Sequence, residues 1–468
     1  MSDLTSYQGL LARKRVAFEP RGLAKVPSLN AAMFPHQAHT TDFLLRSGCG
    51  AAFLDTGLGK SLVALEWGRV VAEHANKPVL MLAPLAVGPQ HAREAEKFGI
   101  EAAYHREPPA GRSPSIVITN YERLDKFDPG QFAGVILDES SILKAFAGAT
   151  TRKLIEAFKR TPFRLACTAT PAPNDHMELG NHSEFLGAME SREMLSRWFI
   201  NDTSDASQSW RLKGHAVASY WEWVASWARC VARPSDLGFS NDGFELPELR
   251  ETAHRVCVDL TDDAGEDRDG QSLMFRVTES SATSIHREKR RTIDTRADAI
   301  ARLVAAEPGE PWILWCDTDA EAEALIERIG GAVEVRGSMK PEQKEERLIA
   351  FGTGDVRVLV SKPRICGYGL NWQHCARMAF VGMSYSYEAY YQAVRRCWRF
   401  GQQRPVDVHI ALADTERPIF DAVRLKAAAH DMMKAEMVSA MRRAHRSEAA
   451  KISYQPVKRL EAPAWLAA

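Results

Sequence analysis

The tightest constraint on this chain is one short run, Ala52-Phe53-Leu54-Asp55-Thr56-Gly57-Leu58-Gly59-Lys60-Ser61. An apolar, strand-like segment (Gly50 to Leu54) passes through a glycine-spaced turn into a helical pattern from Ser61 to about His74. That order is what a phosphate-cradling loop requires. Gly57 and Gly59 let the backbone curl so that N–H groups of Thr56 to Ser61 converge on one anion, and the helix N-terminus adds partial positive charge. Lys60 can then reach β- and γ-phosphates, and Ser61 can place a hydroxyl on Mg²⁺. The strict form of the motif has glycine where this chain has Leu54.

What surrounds the loop extends the constraint. Apolar runs at 79–83, 116–119, 134–137 and 164–168 alternate with helical segments, one of them from about Gly88 to Phe98. Continuous apolar strands of this kind predict an α/β fold with a parallel sheet covered on both faces, where ligands sit at the carboxyl ends of the strands. Those ends are polar here. The second strand stops at Pro84, the third at Thr119-Asn120, the fourth at Asp138-Glu139, and the fifth at Thr168-Ala169-Thr170-Pro171. If strand geometry continues, Asp138 and Glu139 face opposite ways, one free to hold Mg²⁺ and the other to polarise an attacking water. Upstream, Gln37 opens an amphipathic helix some twenty residues before the loop, where its amide can read both the donor and acceptor edge of an adenine.

At 468 residues, 45% of them hydrophobic, the chain is long enough for two or three domains. Lys+Arg and Asp+Glu are both 60, which excludes an overall basic field; a nucleic-acid partner has to be held by a local positive groove. The eight cysteines are scattered, with no Cys-x-x-Cys pair and no zinc spacing, as expected in a reducing compartment. No signal-peptide pattern and no membrane-length apolar run occurs, so a soluble, cytoplasmic protein is expected.

From about Gly180 to Leu249 the alternation stops and aromatics accumulate, among them Trp198, Trp210, Trp221, Trp223 and Trp227. The spacing of Trp223 and Trp227 favours core packing over a base-stacking platform. Turn-rich sequence follows, then the basic run His286-Arg287-Glu288-Lys289-Arg290-Arg291, expected to be a solvated helix face. A second α/β series begins at Pro311 and has no phosphate loop of its own; its strand at 356–360 ends in Ser361-Lys362. Its helical stretch Tyr391 to Gln402 places Gln392, Arg396 and Arg399 on one face. Guanidiniums so arranged can meet phosphate oxygens from across a cleft.

Taken in order, Gln37, the Gly57–Ser61 loop, Asp138-Glu139-Ser140-Ser141, Thr168-Ala169-Thr170-Pro171, Gly367–Asn371 and Gln392–Gln402 resemble the motifs of superfamily 2 helicases. The Swi/Snf-like branch of DNA translocases is the most similar, including phage-encoded members, over about residues 34–410. Two positions depart: Ser140 stands where Ala or Gly is usual, and Ser141 where His or Asp is usual.

The resemblance implies two RecA-like parallel-sheet lobes in tandem with a helical, Trp-rich insertion between them. The first lobe would span 1–240 (Trp-rich from about 180), a linker 241–293, and the second lobe with its helical tail 294–468. It implies ATP and Mg²⁺ between the lobes. Gln37 would lie on adenine, Lys60 on phosphates, Ser61 and Asp138 on Mg²⁺, and Glu139 on the attacking water, with Gln392, Arg396 and Arg399 completing the site. Nucleic-acid or coupling roles fall to Pro84, Thr119, Asn120, Thr168, Thr170, Ser361, Lys362 and Gly369. DNA, double-stranded by preference, is the implied partner, with phage replication or recombination a family-level expectation and host cytoplasm the corresponding location. An RNA helicase, or a non-catalytic DNA-binding scaffold with a relict ATP fold, is the alternative.

Overall fold

The computed structural model describes residues 18–84, 87–144, 148–172, 175–202, 209–256, 289–366, 372–413 and 416–453. The first lobe contains β1 (Cys49–Leu54), β2 (Val79–Ala83), β3 (Ala102–Tyr104), β4 (Ile116–Asn120), β5 (Gly134–Asp138), β6 (Phe163–Cys167), the antiparallel hairpin β7 (Phe199–Asp202) and β8 (Ser209–Leu212), and β9 (Ala228–Val231). Seven of these form one sheet in the order β3-β4-β2-β5-β6-β1-β9, every pairing parallel.

Strand alternation explains why the central runs are apolar throughout. Phe53, Leu82 and Leu137 face one side, beneath α4 (Ala149–Phe158), α5 (Leu179–Leu186), α6 (Ser191–Trp198) and α7 (Val217–Trp227). Leu54, Met81 and Ile136 face the other, beneath α1 (Pro35–Ser47), α2 (Lys60–Ala75) and α3 (Gly88–Lys97). With both faces covered, a strand has no polar side to show.

Four of the five tryptophans are core, and Trp210 packs partly buried against them. Trp221, Trp223 and Trp227 are at most 1% exposed, and Trp198 stacks on Trp223 with centroids 4.7 Å apart. After α7 the chain returns as β9 beside β1, so the Trp-rich segment completes the first lobe.

The second lobe contains β10 (Leu249–Val256), β11 (Trp312–Trp315), β12 (Ala332–Val335), β13 (Val358–Ser361), β14 (Arg377–Phe380) and β15 (Val406–Ala413). They form a second parallel sheet in the order β10-β15-β14-β11-β13-β12. Its helices are α8 (Ile293–Ala306), α9 (Asp319–Arg328), α10 (Pro341–Thr353), α11 (Pro363–Cys366), α12 (Tyr387–Val394) and α13 (Arg417–Ser453). The α/β fold with two parallel-sheet lobes is thus as expected.

Three local expectations are corrected. The segment read as a linker contributes β10, paired residue for residue with β15 from Leu249 opposite Val406 to Val256 opposite Ala413. Its polar, half-exposed sequence belongs to a sheet edge, which hydrophobic periodicity does not mark. In the basic run, Lys289 is not solvated: it is 3% exposed, and its Nζ donates to Asp317 Oδ2 at 2.6 Å and to the Met383 carbonyl. The helix read from Tyr391 to Gln402 stops at Val394, and Gly401 takes a left-handed φ of 91°.

Helix α13 crosses between the lobes. Ile419 and Val423 pack in the second lobe's core, whereas Met433, Met437, Ala440 and Met441 pack in the first lobe's, alongside α7.

Candidate active site

The loop between β1 and α2 has the conformation its glycines allow. Gly57 and Gly59 have φ of 93° and 80°, a region that costs a side chain dearly, and α2 begins at Lys60. Space is as limiting as conformation. A β-carbon on Gly59 would lie 2.0 Å from Gln37 Nε2, and one on Gly57 2.8 Å from the Phe400 nitrogen, so the second lobe sits directly on the loop.

Gln37 reaches the loop differently from expectation. Its Nε2 donates to the Leu58 carbonyl at 3.1 Å, and its Oε1 accepts from the Phe34 N–H at 3.0 Å. His36 Nε2 lies 3.3 Å from the same Leu58 oxygen. Both ends of the Gln37 amide are therefore engaged with backbone, and in this arrangement the residue braces the loop.

At the end of β5 the two acids part company, though not by continued strand geometry. Glu139 has a left-handed φ of 54°, an uncommon conformation for a non-glycine residue. Asp138 Oδ2 is 2.8 Å from His91 Nε2 of α3, and the Asp138 carbonyl accepts from the Tyr121 hydroxyl at 2.7 Å. Glu139 turns the other way. Its Oε1 accepts from Lys60 Nζ at 3.2 Å, and its Oε2 from Thr168 Oγ1 at 3.3 Å and Gln392 Nε2 at 3.5 Å. Thr168 Oγ1 in turn accepts from the Thr170 N–H at 3.1 Å, which ties the end of β6 to the same carboxylate.

The electrostatics differ accordingly. Burial alone would raise Asp138, but His91 and Lys60 bring it below its ordinary value. Burial, opposed by Lys60 and reinforced by the charge on Asp138, holds Glu139 above its ordinary value. Burial works against charge on Lys60, and Glu139 and Asp138 outweigh it, so its pKa is raised. An acid held down suits cation binding, and one held up is the stronger base. The hard oxygens of Asp138 and Ser61 suit Mg²⁺ better than a soft metal.

From the second lobe, Gln392 is positioned by Arg396, whose Nε donates to the Gln392 carbonyl at 3.1 Å and whose Nη2 donates to Gln392 Oε1 at 3.1 Å. Arg399 follows in the turn beyond α12; burial lowers its pKa, and Glu94 of α3 is the foremost acid opposing that. Lys60, Thr168, Glu139 and Gln392 thus share hydrogen bonds, and Arg396 joins them through Gln392, from a helix end and the turn after it rather than from one helix face. Lys144 and Glu388 make a further ion pair between the lobes.

The remaining residues divide. Thr119 and Asn120 are fully buried, and the Asn120 amide donates to the Ala83 and Pro84 carbonyls at 3.3 and 3.2 Å, so as placed they pin strand ends. Ser361 Oγ is likewise used internally, donating to the Val335 carbonyl at 2.8 Å. Lys362 is half-buried and pairs with Asp319 at 2.9 Å. Gly369 lies outside the described residues. Beside Glu139, a cleft of about 930 Å³ between the lobes has a lining of mixed charge, with Arg106, Arg123 and Arg364 set among Glu122, Glu342 and Glu345.

Sequence reasoning missed His91, Asp55, Tyr391, Arg395 and Lys434. Asp55 and Arg395 lie inside recognised runs; His91 and Lys434 carry no local signal, because their partners are 47 and 379 residues away.

Among the described residues, no helix is long and apolar enough to cross a membrane. No curated protein matches the chain. The solved SWI2/SNF2 ATPase core of Sulfolobus solfataricus, in complex with double-stranded DNA, is similar at 16% identity and a TM-score of 0.41, covering 89% of this chain and 96% of that one. Residues 295–401 match the helicase conserved C-terminal domain family.

Proposed function

We propose that this chain is a nucleic-acid-dependent ATPase acting as a DNA translocase, with double-stranded DNA as its favoured track. The observation that carries the reading is that Glu139 is held from both lobes at once, by Lys60 from one and Gln392 from the other. A site divided in this way is complete only when the lobes are together, which is how hydrolysis can be coupled to movement. The match of 295–401 to a helicase domain supports the same reading.

In this reading ATP is the substrate and Mg²⁺ the cofactor. Lys60 would exchange its bond to Glu139 for the β- and γ-phosphates, and Ser61 and Asp138 would hold the metal. Bound Mg²⁺ supplies neutralisation of charge on the phosphate oxygens. Glu139, released from Lys60, orients and deprotonates the attacking water. Arg396, which holds Gln392, and Arg399 from the following turn meet the γ-phosphate; arginines in this role are worth about 10³–10⁵ in rate. Gln37 holds Leu58 and so the loop, and reads adenine once its bond to Leu58 is exchanged. Thr168 and Thr170 link Glu139 to the strand end, while Asn120 and Ser361 pin neighbouring strand ends from within. A phage-encoded role in DNA replication or recombination is the extension favoured by the motif resemblance.

The test is ATP turnover measured with duplex DNA, single-stranded DNA and RNA. Duplex DNA is expected to stimulate most. Stimulation by RNA alone would overturn the choice of track, and no turnover with any polymer would overturn the enzyme.

A further inference from the structure

Asp55, the residue that leads β1 into the phosphate loop, is 8% exposed and receives four hydrogen-bond donors. One is local: the Thr56 N–H donates to Oδ1 at 2.7 Å. Two others, Tyr391 and Arg395, cross from the second lobe, and the last, Lys434, comes from the part of α13 that packs on the first lobe. The Tyr391 hydroxyl donates to Oδ1, Arg395 Nη2 donates to Oδ2 at 3.2 Å, and Lys434 Nζ of α13 donates to Oδ2 at 3.2 Å. Lys434 also donates to the Tyr391 hydroxyl at 3.3 Å, which closes the cluster. His430, one turn earlier on α13, packs its ring 5.9 Å from that of Tyr391 and is 2% exposed, so the cluster is walled from water.

We propose that Asp55 is a positioning residue through which docking of the second lobe and of α13 sets the geometry of the phosphate loop. The inference rests on the ATPase reading of that loop. Its logic is that a single carboxylate both caps the first N–H of the loop and accepts every cation the other lobe presents there. When the second lobe parts, Asp55 loses Tyr391 and Arg395, and it loses Lys434 as well when α13 lifts, so the hold on Thr56 loosens. The loop is then well formed only when Arg395, the residue before Arg396, has arrived and Lys434 is docked. Burial alone would raise Asp55, yet Arg395 and Lys434 hold it well below the carboxylate range, which supports a charged centre. Removing one member of a buried ion cluster leaves the others uncompensated.

The experiment measures amide hydrogen exchange over residues 56–63 in the full chain, for wild type, Asp55→Asn, Lys434→Gln and the double variant. Exchange there is expected to rise about tenfold in Asp55→Asn and less in Lys434→Gln, where Arg395 still holds the carboxylate. The double variant is expected to exchange more slowly than Asp55→Asn alone, because one stranded cation has gone. Lys434→Arg should restore wild-type exchange. Should Asp55→Asn fail to fold, Lys434→Gln with its arginine rescue carries the test. Unchanged exchange in folded Lys434→Gln, or a double variant faster than both singles, overturns the proposal. Because exchange needs no turnover, an inactive wild type would overturn the ATPase reading without touching this result.

Discussion

Lys60 Nζ lies 3.2 Å from Glu139 Oε1, so the loop lysine and the acid proposed to activate water hold one another. Each is therefore held in place by the other. Glu139→Gln keeps the shape and removes the base, and is expected to lower DNA-stimulated kcat about 10²–10⁴-fold with little change in nucleotide affinity. Lys60→Ala is expected to abolish turnover. Full ATP turnover by Lys60→Ala would sink the assignment.

Gly57 combines a φ of 93° with a missing β-carbon that would sit 2.8 Å from the Phe400 nitrogen. Gly57→Ala is expected to cost about 1–2 kcal/mol from backbone conformation alone, and to push the second lobe off the loop. The measurement is melting temperature together with ATP affinity. Because the nearest clash is with backbone, Phe400→Ala should not rescue it; a rescue would show that the contact is side chain only.

His91 is the partner that orients Asp138, with its Nε2 2.8 Å from Oδ2. Partners of this kind are typically worth 10–100-fold in metal affinity. His91→Ala is expected to raise the Mg²⁺ concentration that half-saturates ATP hydrolysis by about tenfold. An unchanged Mg²⁺ titration curve would show that Asp138 needs no such support.

Trp223 is fully buried between Trp198 and Trp227. Trp223→Ala is expected to cost about 3–5 kcal/mol in stability, while the folded fraction binds DNA as wild type does. Loss of DNA affinity without loss of stability would restore the stacking-platform reading.

Burial depresses His182 to about 4 and His430 to about 3, so both stay neutral in the fold down to low pH. Unfolded, each takes a proton below about pH 6.5, so the unfolded state binds more protons and stability falls as pH falls. The window runs from about 6.5 down to each depressed value, at about 1.4 kcal/mol per pH unit per histidine. Thermal melts from pH 7 to pH 5 should show the slope, and His430→Leu should reduce it. A slope identical to wild type in that variant would assign the acid sensitivity elsewhere.

Much of the site was legible because loop and strand-end chemistry is local. Asp55 to Ser61, Asp138-Glu139 and Thr168 to Thr170 each follow a buried strand, and parallel strands deliver their carboxyl ends to one edge whatever the helices between them do. The edge strand β10 escaped notice because its side chains face solvent at half of its positions or more.

The primary structure alone determined that two buried parallel sheets form, and which residue types stand at the ends of the first, since apolar continuity and glycine spacing are properties of neighbours along the chain. Only the tertiary structure decided what those residues touch. That Gln37 braces Leu58, that His91 orients Asp138, and that Lys434 reaches Asp55 over 379 positions depend on how helices pack across a sheet and one lobe against another. Side-chain charge acts through space over a few ångströms, and chain separation does not report that distance.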